Sequence, residues 1–143
     1  MAVSEPLDDA ELTKFGIGFA DDGFHPYDPS ERWWNESWFW DFYDAEGTNA
    51  GHCRLGLIPN QQRVWLWLYV FRRHPAYGDE WLAIEQPFCD TSHLRVPTLA
   101  LDQVGLSFAY DIVSPLRRGR LRVSGAARVV SGRRAGRVVP VSI

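Results

Sequence analysis

The chain has few of the features that most readily assign a protein of 143 residues to a class. It has two cysteines, Cys53 and Cys89, which we interpret as free thiols rather than a disulfide. No run approaches the roughly 18 apolar residues that a bilayer span requires. The acidic N-terminal residues do not form the apolar segment of a signal peptide. We therefore expect a cytoplasmic protein without a membrane span.

Motifs for the common chemistries are also missing. The chain has no Gly-rich phosphate loop, no Gly-x-Ser-x-Gly elbow and no catalytic-cysteine pattern. Its four histidines lie far apart and lack the i+2 or i+4 spacing of paired metal ligands: His25, His52, His74 and His93. We therefore expect neither a metal site nor a cofactor.

Acidic and basic residues are unevenly distributed, and the last part of the chain lacks acidic residues. Residues 1–50 contain twelve acidic side chains and two basic ones, whereas no acidic residue follows Asp111 and eight arginines do. Such asymmetry occurs in nucleic-acid-binding proteins, but those also interleave aromatic residues with the arginines, and none follows Tyr110. We predict no nucleic-acid partner, and instead a solvated face or a contact with residues 1–50 for Arg118, Arg120 and Arg122.

Aromatic side chains, in contrast, are abundant. Two stretches, 33–43 and 64–71, hold six of the seven tryptophans. Bulky flat and β-branched residues suit a pleated sheet, and they also form good walls for apolar pockets. The two stretches predict a β-sheet protein with an aromatic interior, but they do not specify a reaction.

Turn residues divide the chain into a short helix and a series of strands. We predict a helix over 4–15, with Ser4 as N-cap and Gly16 at its end, followed by a loop over 16–32. Residues 33–143 are predicted to form an antiparallel β-meander, so that residues 1–143 make one all-β domain, a barrel or a sandwich. The strands are predicted at 35–43, 52–58, 63–71, 81–86, 93–99, 106–112, 121–130 and 137–142.

Alternation along the first strand assigns its inner face. One face carries Glu36, Trp38, Trp40 and Phe42, and because it is the more apolar face we expect it to point inward. Residues 64–71 are apolar on both faces, and strands of that kind are covered on both sides. We expect the outer cover to come from the N-terminal helix, a second domain or a second copy of the chain.

Four motifs resemble those of a known protein family: HPYDP at 25–29, WNESWFWDFYD at 34–44, RLGLIPNQ at 54–61 and WLWL at 65–68. They are similar to the N-terminal half of a group of bacterial proteins related to the hydroxyneurosporene synthase (carotenoid hydratase) superfamily. The resemblance is clearest over 25–71 and continues more weakly over 128–141. It implies a lipocalin-like barrel, complete or partial, with the pocket inside it.

The resemblance also implies a class of activity. Members of the superfamily with known roles hydrate, isomerise or cyclise apolar substrates, often isoprenoids or polyketides, without a redox cofactor. They usually carry two lipocalin-like halves packed together, and this chain corresponds to the first half. Together with the apolar outer face of 64–71, this predicts a homodimer or a complex with a separately encoded second half.

Our leading hypothesis for function is the binding of a small apolar, lipid- or isoprenoid-like molecule in the barrel. A barrel of about eight strands can also be filled entirely by its own side chains, but the resemblance favours a pocket. The predicted lining is aromatic and consists of Trp38, Trp40, Trp65, Trp67 and Tyr69.

The second hypothesis is a cofactor-free hydratase, isomerase or cyclase. An apolar setting raises the pKa of a carboxyl group, which would suit Glu36 to general acid or base catalysis. Glu36 would be assisted by His25, which could shuttle protons at the barrel mouth, or by Asn35 or Asp41. The simpler alternatives are an ion pair between Glu36 and Arg54 and a loop-anchoring hydrogen bond from His25.

Overall fold

The computed structural model describes residues 8–95 and 98–143, and within them it contains one short helix and nine strands. Single 3₁₀ turns lie at Phe19–Asp22, Pro59–Gln61 and Thr91–His93. The regular elements are α1 (Asp9–Lys14), β1 (Glu36–Tyr43), β2 (Asn49–Ile58), β3 (Arg63–His74), β4 (Gly78–Asp90), β5 (Leu94–Arg95), β6 (Ala100–Gln103), β7 (Leu106–Ser114), β8 (Arg118–Ser131) and β9 (Val138–Ser142).

Helix α1 begins at an acidic capping box. Glu11 N donates to Asp8 Oδ1 at 2.7 Å, and Asp8 N donates to Glu11 Oε2 at 3.3 Å. The chain leaves the helix at Gly16, whose φ of 70° is readily adopted by glycine. The predicted end of the helix is therefore confirmed, whereas the predicted N-cap, Ser4, lies outside the described residues.

All the strands belong to one antiparallel sheet in the order β1-β2-β3-β4-β8-β7-β6-β5, with β9 paired to β8. Strands β1 to β4 follow one another as a meander joined by short turns, as predicted for the first three. Strand β8 is long enough to pair with β7 and β4 on one edge and with β9 on the other. The all-β antiparallel fold is thus confirmed. Among the described residues β1 pairs only with β2, so the sheet is not closed, and the lipocalin-like barrel stays a prediction.

The predicted strand at 93–99 is wrong over most of its described part. A 3₁₀ turn and the two residues of β5 occupy its beginning, and Leu99 lies in a turn with a φ of 43°. Residues 96 and 97 lie outside the described part. The strand that the sequence pattern missed is β6, which pairs with β7 across a two-residue turn and buries Ala100 and Leu101. Pairing with β7 thus decides the structure here rather than local propensity.

The sheet curls so that β1 and β7 face each other across one apolar core. The ring centroid of Trp40 lies 5.4 Å from that of Phe108 and 4.9 Å from that of Tyr110. Fully buried leucines of β2 and β3, including Leu55 and Leu66, belong to the same core. We call the side of the sheet that carries these residues the inner face.

The register confirms the predicted inner face of the first strand. Trp38 lies opposite Leu55, and Trp40 lies opposite Cys53, both of which are fully buried. Because facing residues of an antiparallel pair point to the same side, Glu36 and Phe42 also lie on the inner face.

Cys53 and Cys89 are free thiols, and burial raises the pKa of the Cys53 thiol to about 12.

Helix α1 lies beside the β7–β8 turn rather than over the outer face of β3. Arg117 Nη2 donates to Asp9 Oδ1 at 2.9 Å, and Leu116 N donates to Asp22 Oδ2 at 2.8 Å. The acidic first third therefore contacts the arginine-rich region at this point. Of Arg118, Arg120 and Arg122, for which a solvated face or a contact with residues 1–50 was predicted, Arg122 forms an ion pair with Asp111 of β7 and, within the described part of the chain, not with residues 1–50.

Candidate functional site

A cavity of about 430 Å³ opens at the mouth of the curled sheet, between β9 and the ends of β1, β2 and β3. Its lining divides into an apolar part and a polar rim. Val70 and Leu82 of the inner face belong to the apolar part, together with Phe42, Pro140, Val141 and Ile143. Tyr43, Asp44, Asn49, Arg72 and Ser142 form the rim.

Close packing of Phe42 on β2 shapes one wall of this cavity. A Cβ atom at Gly51 would lie 2.2 Å from Phe42 Cζ and 2.5 Å from the carbonyl oxygen of Tyr69. Only glycine leaves room there, and this lets the Phe42 ring lie flat against the sheet. Gly51, near the start of β2, thus helps to fix the aromatic wall.

Arg72 of the rim and Arg134 share one buried carboxylate. Arg72 Nε and Nη2 each lie 3.1 Å from Glu80 Oε2, and Arg134 donates to both oxygens of Glu80 at 2.7 Å. Glu80 is 0% exposed. Hydrogen bonds from Arg134 and, more weakly, from Arg72 lower its pKa to about 2, although burial acts to raise it. The carboxylate is therefore ionised at neutral pH.

The turn between β1 and β2 supplies a carboxylate to the rim, Asp44. Its oxygens accept hydrogen bonds from Thr48 N at 2.7 Å, from the Thr48 hydroxyl at 2.6 Å and from Asn49 Nδ2 at 2.6 Å. These donors, the Thr48 hydroxyl first, lower the pKa of Asp44. The carboxylate is thus occupied in holding the turn.

The structure brings together two of the predicted catalytic residues, His25 and Glu36. His25 Nδ1 lies 3.0 Å from Glu36 Oε2, and the His25 backbone N–H donates to the same oxygen at 3.2 Å. Asp21 Oδ1 lies 3.6 Å from His25 Nε2. The Glu36 side chain is only 12% exposed, and Phe24 stacks on Trp38 beside it with a centroid distance of 6.3 Å.

The other two candidates lie elsewhere. Asn35 Nδ2 donates to the Leu57 carbonyl oxygen at 3.3 Å and thereby joins the start of β1 to β2. Asp41 lies on the outer face, where His52 Nδ1 is 2.6 Å from its Oδ1. Arg54, considered above as a partner for Glu36, also lies on the outer face, opposite Phe39. Of the four residues, only His25 and Glu36 share a site.

The five predicted lining residues are divided between the two faces. Trp38 and Trp40 pack against the core on the inner face. Trp65, Trp67 and Tyr69 lie opposite Gly56, Arg54 and His52 on the outer face, so they do not share an interior with Trp38 and Trp40. The physical reason is the register, because Leu66 and Leu68 of the same strand already occupy the inner face.

Arg54 lies among the outer aromatic rings. Its guanidinium carbon is 4.6 Å from the ring centroid of Phe39, 5.4 Å from that of Trp67 and 5.6 Å from that of Trp65. These are distances at which a cation attracts an aromatic face. Within the described part of the chain, the buried Arg54 Nε has no hydrogen-bond partner.

Sequence reasoning missed the cluster of Arg72, Glu80 and Arg134. One signal was present, because the inward positions 64, 66, 68 and 70 continue at the same period to Arg72. Ending the predicted strand at residue 71 hid this. The approach of Arg134 depends on the long-range pairing of β4 with β8, which no local pattern shows. Among the described residues, no three His, Cys, Asp or Glu side chains group as metal ligands.

The fold and the cavity together define a small antiparallel β protein with an open, partly apolar cleft. The chain belongs to the family described as "Domain of unknown function (DUF7064)", whose family model matches residues 18–137. No curated protein and no solved structure matches the chain. Among the described residues, no helix has the length and apolar character needed to span a bilayer. The relation to hydroxyneurosporene synthase stays a prediction.

Proposed function

We propose that this protein binds a small apolar molecule in the cavity at the mouth of the curled sheet. The observation that carries the proposal is the cavity itself, about 430 Å³ with Phe42, Val70 and Leu82 in its lining. Ligand sites typically measure 300–1,000 Å³ and combine apolar walls with a few polar groups. The resemblance to carotenoid hydratases supports an isoprenoid-like ligand and a lipocalin-like mode of binding.

A cavity-filling variant tests this function. Val141 lines the cavity, whereas Val138 lies on the same strand with its side chain largely exposed. The wild-type protein should bind the neutral probe 1-aminoanthracene saturably, and farnesol should displace the probe. Val141→Trp should weaken the affinity for the probe and for farnesol at least tenfold, and Val138→Trp should leave both affinities unchanged. The proposal falls if no terpenoid, lipid or steroid displaces the probe, or if Val141→Trp binds like the wild type.

A second candidate function is cofactor-free acid–base catalysis by His25 and Glu36. The observation in its favour is their separation of 3.0 Å beside the apolar Phe24–Trp38 stack. A histidine held by a carboxylate can transfer protons at neutral pH. Hydration or isomerisation of an isoprenoid alkene would then need only this pair and water.

Deuterium incorporation tests the second candidate without knowledge of the natural product. The protein would be incubated with a panel of isoprenoid alkenes in D₂O and the recovered lipids analysed by mass spectrometry. Enzymatic deuteration should be lost in Glu36→Gln and retained in Asp41→Asn, because Asp41 lies on the opposite face. Equal deuteration by wild type and Glu36→Gln would exclude the pair as the catalyst.

We also propose that the chain forms a homodimer through its outer face. Four partly exposed rings lie there in two rows across β1, β3 and β4: Phe39, Tyr43, Trp67 and Trp81. Arg54 and Asp41 lie on the same face, so that a two-fold arrangement can bring opposite charges together. This self-complementarity favours a second copy over a separately encoded half.

We propose a cytoplasmic location as well. Support comes from the two cysteines, which are both free, since thiols persist in reducing compartments. Fractionation of cells that express a tagged full chain would test the location.

A further inference from the structure

The two guanidinium groups around Glu80 have more N–H donors than its single carboxylate can accept. Both oxygens are occupied by hydrogen bonds, two from Arg72 and two from Arg134. Two guanidinium groups, which stay charged at any ordinary pH, therefore share one buried anion. The cluster carries one uncompensated positive charge where Glu80 itself is inaccessible to solvent.

Arg72 is the member of this cluster that faces the cavity. It lines the cavity together with Val70 and Leu82, and its side chain is 22% exposed. Its bonds to Glu80 use Nε and Nη2. Within the described residues Nη1 has no hydrogen-bond partner, so a charged donor remains free at the border of an apolar surface.

Asp44, the carboxylate of the rim, does not neutralise this charge directly. Asp44 is bonded to Thr48 and Asn49 of its own turn, and among the described residues it forms no ion pair with Arg72. The rim also carries Ser142, whose hydroxyl can donate. The single excess charge of the cluster matches one anionic group, and the negative Asp44 disfavours any further negative charge on the ligand.

We propose that the ligand of this cavity is an apolar molecule that ends in one carboxylate. The carboxylate would bind Arg72 through Nη1, and the apolar part would lie on Phe42, Val70 and Leu82. Charge-assisted bonds between guanidinium and carboxylate are among the stronger hydrogen bonds in proteins. The inference rests on the proposed ligand-binding function and specifies the class of ligand.

Two ligands of equal chain length test the inference. Dodecanoic acid and dodecan-1-ol would compete with 1-aminoanthracene for the wild-type protein at neutral pH and at low and high salt. We expect the acid to bind at least tenfold more tightly than the alcohol. Its advantage should shrink with added salt, which screens charge, while alcohol binding stays the same.

Variants at neighbouring arginines locate the effect. Arg72→Met should remove the preference for the acid, so that acid and alcohol compete with similar affinity in that variant, and Arg72→Lys should retain part of the preference. Arg73→Met is the matched control, since Arg73 pairs with Asp79 in an exposed position. Circular dichroism would verify folding, and the salt dependence of the wild type tests the charge even if Arg72→Met fails to fold.

The possible outcomes distinguish failure of the carboxylate preference from failure of the proposed binding of apolar molecules. Equal affinity of the wild type for acid and alcohol overturns the inference and leaves apolar binding intact. A preference that survives in folded Arg72→Met also overturns it. Failure of both ligands, together with every other member of the apolar panel, overturns the binding function and the inference with it.

Discussion

Glu80 connects the stability of this protein to its candidate site. Its side chain is buried, and its carboxylate joins β3 and β4 to the β8–β9 connection through Arg72 and Arg134. A buried carboxylate without these cations would be strongly destabilising, as would the cations without it. The same contacts that hold the rim of the cavity in place therefore make the fold sensitive to acid.

Glu80→Gln should lower the melting temperature at pH 7 by roughly 5–10 °C, because it leaves two guanidinium groups without an anion. The native pKa of Glu80 is about 2, below its ordinary value of 4.5. Its contribution is therefore complete above pH 4.5 and is lost as the pH falls towards 2. The difference in melting temperature between wild type and variant should shrink over this window.

Thermal melts at closely spaced pH values would measure this difference. Glu46→Gln is the control, because Glu46 is exposed in the β1–β2 turn and should show no difference at any pH. A gap between wild type and Glu80→Gln that stays constant from pH 7 to pH 2.5 would contradict the assigned role.

Residue types predicted the paired His25 and Glu36 as site candidates but not the face on which most other candidates lie. Alternation placed Trp38 and Trp40 inward because their face of β1 is more apolar than the face that carries Ser37 and Asp41. In β3 both faces are apolar, so the pattern has no preference, and Trp65, Trp67 and Tyr69 went to the outer face with the register. Long-range pairing, which sets that register, is not encoded in any one strand.

At the level of elements, glycines fix how β1, β2 and β3 pack. Trp65 lies opposite Gly56, and a Cβ atom at Gly56 would lie 2.0 Å from Trp65 Cζ2. The indole can lie flat on the sheet only because position 56 has no side chain. The buried position of Trp65, despite its place on the outer face, follows from this contact.

Gly56→Ala should therefore destabilise the protein by about 1–3 kcal/mol, the usual cost of overpacking. The Trp65 ring would have to move, so native tryptophan fluorescence should change as well. Urea unfolding would measure the loss. Gly18→Ala serves as control, because its Cβ would come no closer than 3.8 Å to a neighbouring atom, and equal stabilities of the two variants would contradict the expectation.

Strands with strong local signals were predictable, and the strand with a weak one was not. Strands β1, β2 and β3 carry dense aromatic and β-branched residues between clear turns, and their meander was confirmed. Strand β6 has four residues and lies beside a left-handed Leu99. Its position depends on pairing with β7, which explains why the pattern over 93–99 misplaced it.

For the whole molecule, the curl of the sheet depends on a few contacts that are distant in sequence. Among the described residues, β4 pairs with β8 at Trp81 with Ser131, Leu82 with Val129 and Ala83 with Arg128. The core contacts of Trp40 with Phe108 and Tyr110 complete the link. The sequence predicted the meander locally, but the curl that forms the cavity arises from these long-range contacts. The outer face of β1 and β3 carries the exposed rings of Phe39 and Trp67.

A single charge on that outer face should abolish the proposed dimer. Phe39 is 53% exposed, and its ring lies 4.6 Å from the Arg54 guanidinium. A carboxylate at position 39 can pair with Arg54, so Phe39→Glu should fold normally while a desolvated charge disfavours association. Val104→Glu, in an exposed turn between β6 and β7, is the matched control. By sedimentation at micromolar concentration, wild type and Val104→Glu should have twice the chain mass of 16.4 kDa, and Phe39→Glu should be monomeric. A wild type that sediments as a single species of one chain mass, unchanged by dilution, would show that this face does not mediate self-association.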